Sequence, residues 1–184
     1  IPSLTAEVER AAVVMVAPAG RLIARGEERP LLLDEVEGLL ASRVLVVDAC
    51  RHVVRLAGTA VPLARRPVLF ALARSLAEAW PGDLPRDALV ARAFGAKLAD
   101  DSYRARLRVE IGRLRTVLRG LAHVTATTRG FALAPRRAPD VVVLAPTVEG
   151  EHASVLALLA DGVAWSCSAL ALGLGASQTN GQGV

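Results

Sequence analysis

Apolar and polar positions change period several times along the chain, and each change predicts an element. Ala11 to Val16 and Arg21 to Ala24 read as short strands around a Pro18-Ala19-Gly20 turn. Leu33 to Ser42 reads as a helix with Asp34, Glu35 and Glu37 near its start, where the helix dipole favours acids. Val44 to Asp48 and His52 to Leu56 alternate as paired strands do. Ala57-Gly58-Thr59 supplies a turn, and Ala60 to Leu63 predicts a third short strand. From Arg66 to Trp80 the period becomes helical, with Val68, Leu69, Leu72, Leu76 and Trp80 on one face. Pro67 falls in the first turn, where a missing N–H costs nothing, and Pro81-Gly82-Asp83 ends the helix. Pro85 opens a second helix to about Phe94, with Leu89, Val90 and Phe94 inward and Gly95 as its stop.

After a loop from Gly95 to Asp101, Ser102 to Arg119 predicts a third helix, with Asp101 or Ser102 as N-cap. It carries six arginines: Arg104, Arg106, Arg108, Arg113, Arg115 and Arg119. At about 100° per residue, Leu107, Ile111, Leu114 and Leu118 form a core-facing seam. Arg104, Arg108, Arg115 and Arg119 line one flank of it, and Arg106 and Arg113 the other. The opposite edge is small: Ala105, Val109, Gly112 and Thr116. A narrow edge between two arginine rows suits the DNA major groove, because the edge reaches the floor while the arginines reach the phosphate walls. Val124 to Thr127 and Phe131 to Leu133, around Arg129-Gly130, then read as a β-hairpin.

The order is small sheet, three helices, hairpin. The expected fold class is therefore α+β, a winged helix-turn-helix with a short C-terminal helical extension. The expected organisation has four parts: an acidic segment over 1–42, packed on the central domain or belonging to a larger one; a winged-helix domain over 43–135; a proline-rich basic linker over 136–150 with Val141 to Leu144 as a short strand or extended connector; and a partial helix-turn-helix or packing extension over 151–184, with helical patterns at His152 to Ala160 and Ser166 to Leu172.

Composition changes this picture little, but charge distribution does. The chain has 184 residues, 53% of them hydrophobic, enough for one medium domain or two small ones. Its base content is almost all arginine, and with so much alanine and leucine it reflects codon composition as much as function. Arg43 to Arg137, however, holds 18 basic and 7 acidic residues, whereas the rest of the chain is net acidic. A basic centre between acidic ends points to a polyanion partner.

Other chemistries find little support. Cys50 and Cys167 lie far apart and give neither a disulfide framework nor a metal spacing, so a reducing cytoplasm is expected. His52, His123 and His152 are scattered. GLGAS at Gly173 to Ser177 lacks the lysine of a P-loop, and no nucleophile elbow surrounds Ser166 or Ser168. No enzyme activity, cofactor or metal is expected. Ala153 to Ser177 is long and apolar, but Asp161 and Gly162 interrupt it, which reads as two short helices rather than a membrane span. The start lacks a basic flank before an apolar run, so no signal peptide is expected, and a beginning at Ile1 reads as a fragment or processed chain.

Motifs in the middle half of the chain resemble the winged-helix effector domain of OmpR/PhoB-type transcription regulators and the similar SARP DNA-binding domain. CRHVVRLAGTAVPL resembles the family's opening strand and glycine turn, and LARRPVLFALARSLAEA its first helix. PGDLPRDALVARAF keeps Pro81, Gly82, Arg86 and Leu89 of the second. LRVEIGRLRTVL matches the recognition helix at Leu107, Val109, Ile111, Arg113, Leu114, Arg115 and Leu118. TTRGFAL keeps Thr127, Arg129, Gly130 and Leu133 of the wing, in shorter form, with Phe131 at the tyrosine position. Gly112 replaces the usual arginine.

The resemblance implies a cytoplasmic bacterial regulator that binds duplex DNA as a homodimer on paired half-sites and touches RNA polymerase through the loop from Gly95 to Asp101. The site residues expected on DNA are Arg104, Arg106, Arg108, Val109, Arg113, Arg115 and Arg119 from the helix, Arg129 at a wing over the minor groove, and Arg86 at the second helix start. The other reading of Arg86 is a structural cap. The other reading of the whole is a winged-helix protein-interaction or dimerisation module whose arginines serve an acidic partner. VLALLADGVAWSCSALALGLGASQT resembles the first two helices of another helix-turn-helix, with Ser177-Gln178-Thr179 where a second recognition helix begins.

Overall fold

The computed structural model describes residues 17–96 and 100–148. The expected strand at Ala11 to Val16 and everything expected after 148, including the partial helix-turn-helix, lie outside the described residues. The fold is α+β. Nine strands, β1 (Gly20–Ala24), β2 (Glu27–Leu31), β3 (Leu45–Asp48), β4 (Val53–Leu56), β5 (Thr59–Pro62), β6 (Asp83–Pro85), β7 (Ala122–Ala126), β8 (Gly130–Pro135) and β9 (Val141–Ala145), accompany four helices among the described residues. These are α1 (Leu33–Ala41), α2 (Pro67–Glu78), α3 (Arg86–Phe94) and α4 (Asp101–Leu118).

The strands form a six-stranded sheet in the order β2-β1-β9-β3-β4-β5 and a three-stranded sheet in the order β6-β8-β7. Only β3 and β9 run parallel; every other pairing is antiparallel. The central pair is buried on both faces, which is why Leu45 to Val47 of β3 and VVVLA of β9 are continuous apolar runs. β3 then ends in the buried Asp48, which pairs with Arg51 and Arg55. Leu45, Val47, Val141 and Val143 face the main core of α2, α3 and α4. Val46, Val142 and Leu144 face a second core, where Val36, Leu39 and Leu40 of α1 cover the sheet's other side.

This sheet corrects the expected organisation. The stretch over 136–150 is not a linker, because β9 lies between β1 and β3 at the centre of the sheet. The end of the 1–42 segment joins the same sheet, since β1 pairs with β9. The sheet is accordingly larger and more mixed than the small antiparallel one expected. β1 forms its hairpin with β2, downstream of it, rather than around Pro18-Ala19-Gly20. Arg25 and Gly26 close that hairpin, and Ala57 and Gly58 close β4–β5. Both residues of each turn have positive φ, the left-handed geometry that two-residue hairpins use.

Helix boundaries follow local chemistry. Leu32 N donates to Glu35 Oε2 at 2.9 Å across the start of α1. That bond, then Arg29, hold the Glu35 carboxyl below the usual carboxylate range. Pro67 is at the first turn of α2, and Gly95 ends α3 at φ 65°. Asp100, one residue before the expected cap, accepts from Tyr103 N at 2.9 Å and starts α4. Pro85 closes the short strand β6 before α3 begins, so the segment read as a plain helix stop holds an edge of the second sheet.

Candidate nucleic-acid interface

Leu107, Ile111, Leu114 and Leu118 are all essentially buried, and they anchor α4 on the main core. The opposite edge is open: Ala105, Gly112 and Thr116 are exposed, and Val109 is 54% exposed. Apart from the backbone of its own helix turn and its two chain neighbours, no described atom lies within 4 Å of where a Cβ on Gly112 would stand. The two arginine rows flank this edge as the wheel predicts.

The rows do not act alike, because their neighbours differ. Arg115 Nε donates to the Val124 carbonyl at 2.7 Å, and its guanidinium lies 5.9 Å from the centre of the Phe131 ring. Arg86 donates from Nη1 to the Thr128 carbonyl at 3.1 Å and from Nη2 to the Thr127 carbonyl at 3.3 Å. Its guanidinium also stacks on Phe131, at 5.5 Å. Arg86 and Arg115 therefore clamp α3 and α4 to the hairpin of β7 and β8. For Arg86 the geometry matches the capping alternative rather than a free cation. Arg104 spans Asp87 and Asp101, each at 3.5 Å, and ties α4 to α3. Arg106 lies 4.6 Å from the centre of the Phe94 ring, which packs beside Tyr103. Arg113 pairs with Glu110 at 2.7 Å, yet its side chain is 64% exposed. Among the described residues, Arg108 and Arg119 have no side-chain hydrogen bond, ion pair or ring contact, and the same holds for Arg43, Arg65, Arg66 and Arg137.

The hairpin tip is fixed from β6. Thr127 Oγ1 donates to Asp83 Oδ2 at 2.6 Å, and Gly130 N donates to Thr127 Oγ1 at 2.9 Å. Arg129 stands at that tip, 70% exposed, with Asp83 at 3.8 Å. Gly130 is buried against β6: an added Cβ would overlap the Leu84 carbonyl oxygen and stand 2.9 Å from Pro85 Cα.

The structure thus brings the helix arginines, Val109, Arg86 and Arg129 into one region around α4 and the hairpin. Sequence reasoning missed a further basic group at the C-terminal end of α4. Arg43, Arg136 and Arg137 gather there, and Arg136 Nη1 donates to the Arg119 carbonyl at 2.9 Å. The only signal was the Arg136-Arg137 pair, which read as part of a linker. Of the loop expected to meet polymerase, residues 97–99 lie outside the described residues. No helix among the described residues is long and apolar enough to cross a membrane, and no group of three His, Cys, Asp or Glu among them could hold a metal ion. No protein-family model matches the chain, and no curated protein matches it.

Proposed function

We propose that the chain binds duplex DNA as a winged-helix transcription regulator of the OmpR/PhoB type. In this reading α3 and α4 are the helix-turn-helix, and β7–β8 is the wing. The observation that carries it is the exposed edge of α4, with Val109 54% exposed between two arginine rows. A cylinder with a thin uncharged edge and cationic shoulders is complementary to a major groove with an apolar-tolerant floor and anionic walls. Arg108 and Arg119 meet phosphates on one side and Arg106 and Arg113 on the other, while Val109 packs on thymine methyl groups. Arg129, at the hairpin tip, reaches the minor groove. Arg104, Arg115 and Arg86 contribute through their remaining N–H groups while holding the helices and wing together.

Few groups on that edge can hydrogen-bond a base. Affinity then comes mainly from phosphates, and specificity from DNA shape and from the spacing of two half-sites in a homodimer. A cytoplasmic location and contact with RNA polymerase belong to the same reading.

A salt series with random-sequence duplex tests it. Binding that tightens as salt falls, with Arg108→Gln and Arg113→Gln each lowering affinity and flattening the salt dependence, is the expected result. Absence of binding at low salt would overturn it in favour of the protein-interaction module.

A further inference from the structure

Beyond the C-terminus of α4 lie two adjoining clefts that the groove reading does not use. One, of about 400 Å³, is lined by Arg43, Leu56, Ala57, Thr59, Gly120, Leu121 and Arg137. The other, of about 430 Å³, is lined by Gly120, Arg136 and Arg137. Among the described residues, no carboxylate lines either. Arg43 and Arg137 come from opposite ends of the 43–137 region, and neither has a side-chain partner among those residues. Uncompensated arginines gathered without an acid repel one another, so the arrangement gains stability when an anion arrives.

Arg136, which lines the second cleft, ties it to the C-terminal end of α4. Arg119, the last arginine of the row through Arg108 and Arg115, joins them through its carbonyl, which accepts from Arg136 Nη1 at 2.9 Å. That bond also covers the negative end of the helix dipole, which would otherwise repel a phosphate approaching there. Gly120 lines both clefts and leaves the space beside it open, with no described atom beyond its chain neighbours within 4 Å of an added Cβ.

We infer that these clefts bind the phosphate backbone of the same duplex that α4 engages, extending its footprint past the groove onto the β4–β5 turn and the chain entering β9. This inference rests on the duplex-binding reading. Its chemistry is that of a two-arginine phosphate clamp, with the Thr59 hydroxyl as a neutral donor.

The test measures the slope of log affinity against log salt for a random duplex, with wild type, Arg43→Gln/Arg137→Gln, Arg43→Lys/Arg137→Lys and Arg108→Gln. All substituted side chains are exposed, and melting curves check that each variant folds. Each lost phosphate contact removes about 0.9 from the slope, so the double glutamine variant should lose about 2. Raising salt from about 50 to about 200 mM should then weaken wild type roughly tenfold more than that variant. The double lysine variant should keep the wild-type slope. If Arg108→Gln lowers the slope while Arg43→Gln/Arg137→Gln matches wild type, the clefts serve another partner and this inference fails alone. If wild type binds no duplex at any salt, both readings fail.

Discussion

Arg115 and Val124 join the arginine helix to the hairpin: Arg115 Nε donates to the Val124 carbonyl at 2.7 Å. The bond runs from the exposed flank of α4 to a strand that pairs with β8. An arginine that looks like one of a row of surface cations therefore sets the angle between helix and hairpin. Arg108 stands about two turns earlier on the same flank and has no such partner.

The two residues should separate in stability measurements. Arg115→Leu loses a partly buried, charge-assisted hydrogen bond and should cost about 1–2 kcal/mol. Arg108→Leu loses only solvated charge and should stay within about 0.5 kcal/mol of wild type. Urea denaturation checks both. Equal stabilities would mean that the Arg115 bond contributes nothing net.

At Gly130 the backbones of β8 and β6 lie too close together for a side chain. A side chain there meets the Leu84 carbonyl, and the Leu84 carbonyl carbon stands 2.8 Å from the added Cβ. Both are backbone atoms that cannot rotate away, so β6 must separate from β8. Gly130→Ala should cost about 2–4 kcal/mol, as overpacking against fixed atoms does. The amides of Leu84 and Phe131 should exchange with solvent faster in the variant, because their pairing is lost.

What the sequence reveals of this molecule depends on how local the cause is. The seam from Leu107 to Leu118 is legible because a 3.6-residue period lies within one helix. The turn at Ala57-Gly58 and the stop at Gly95 are legible because glycine takes positive φ at little cost, and Gly58 and Gly95 both have it. The place of β9 is not. VVVLA comes after the turn-rich APRRAPD, and its pairing partners, Leu45 to Asp48 and Arg21 to Ile23, are far away in sequence. β2 is hidden differently: EERPL is polar and contains Pro30, since an edge strand exposes most of its positions.

The same limit applies to the candidate site. Periodicity places each arginine on a face of α4, but it does not say which meets a carbonyl, a ring or an acid. Arg86 and Arg115 share Phe131 only because α3, α4 and β8 converge. Arg43 and Arg137 meet only because β3 and β9 are neighbours. Charge counting finds the basic region, and tertiary pairing divides it into fixed and free cations.

Gly112 provides a stability test in the opposite direction. It sits in the interior of α4, exposed, with open space where a Cβ would go. Gly112→Ala should raise stability by about 1 kcal/mol through helix propensity alone. Thermal melting checks this, and a loss of stability would mean that the helix bends or packs at that point.

Val109 tests the edge itself. It is the most exposed large apolar residue among those described, at 54%, and lies midway between the two arginine rows. Its side chain is not part of the core, so Val109→Glu should change stability by no more than about 0.5 kcal/mol. On DNA the outcome should differ sharply. A carboxylate on the groove-facing edge is driven between two phosphate walls and is repelled by both. Affinity should fall at least about tenfold, more steeply than for the loss of one arginine. Val109→Thr keeps size and β-branching without charge and should bind nearly as wild type does. If Val109→Glu binds duplex as tightly as wild type, the edge of α4 does not face DNA, whatever the arginines around it do.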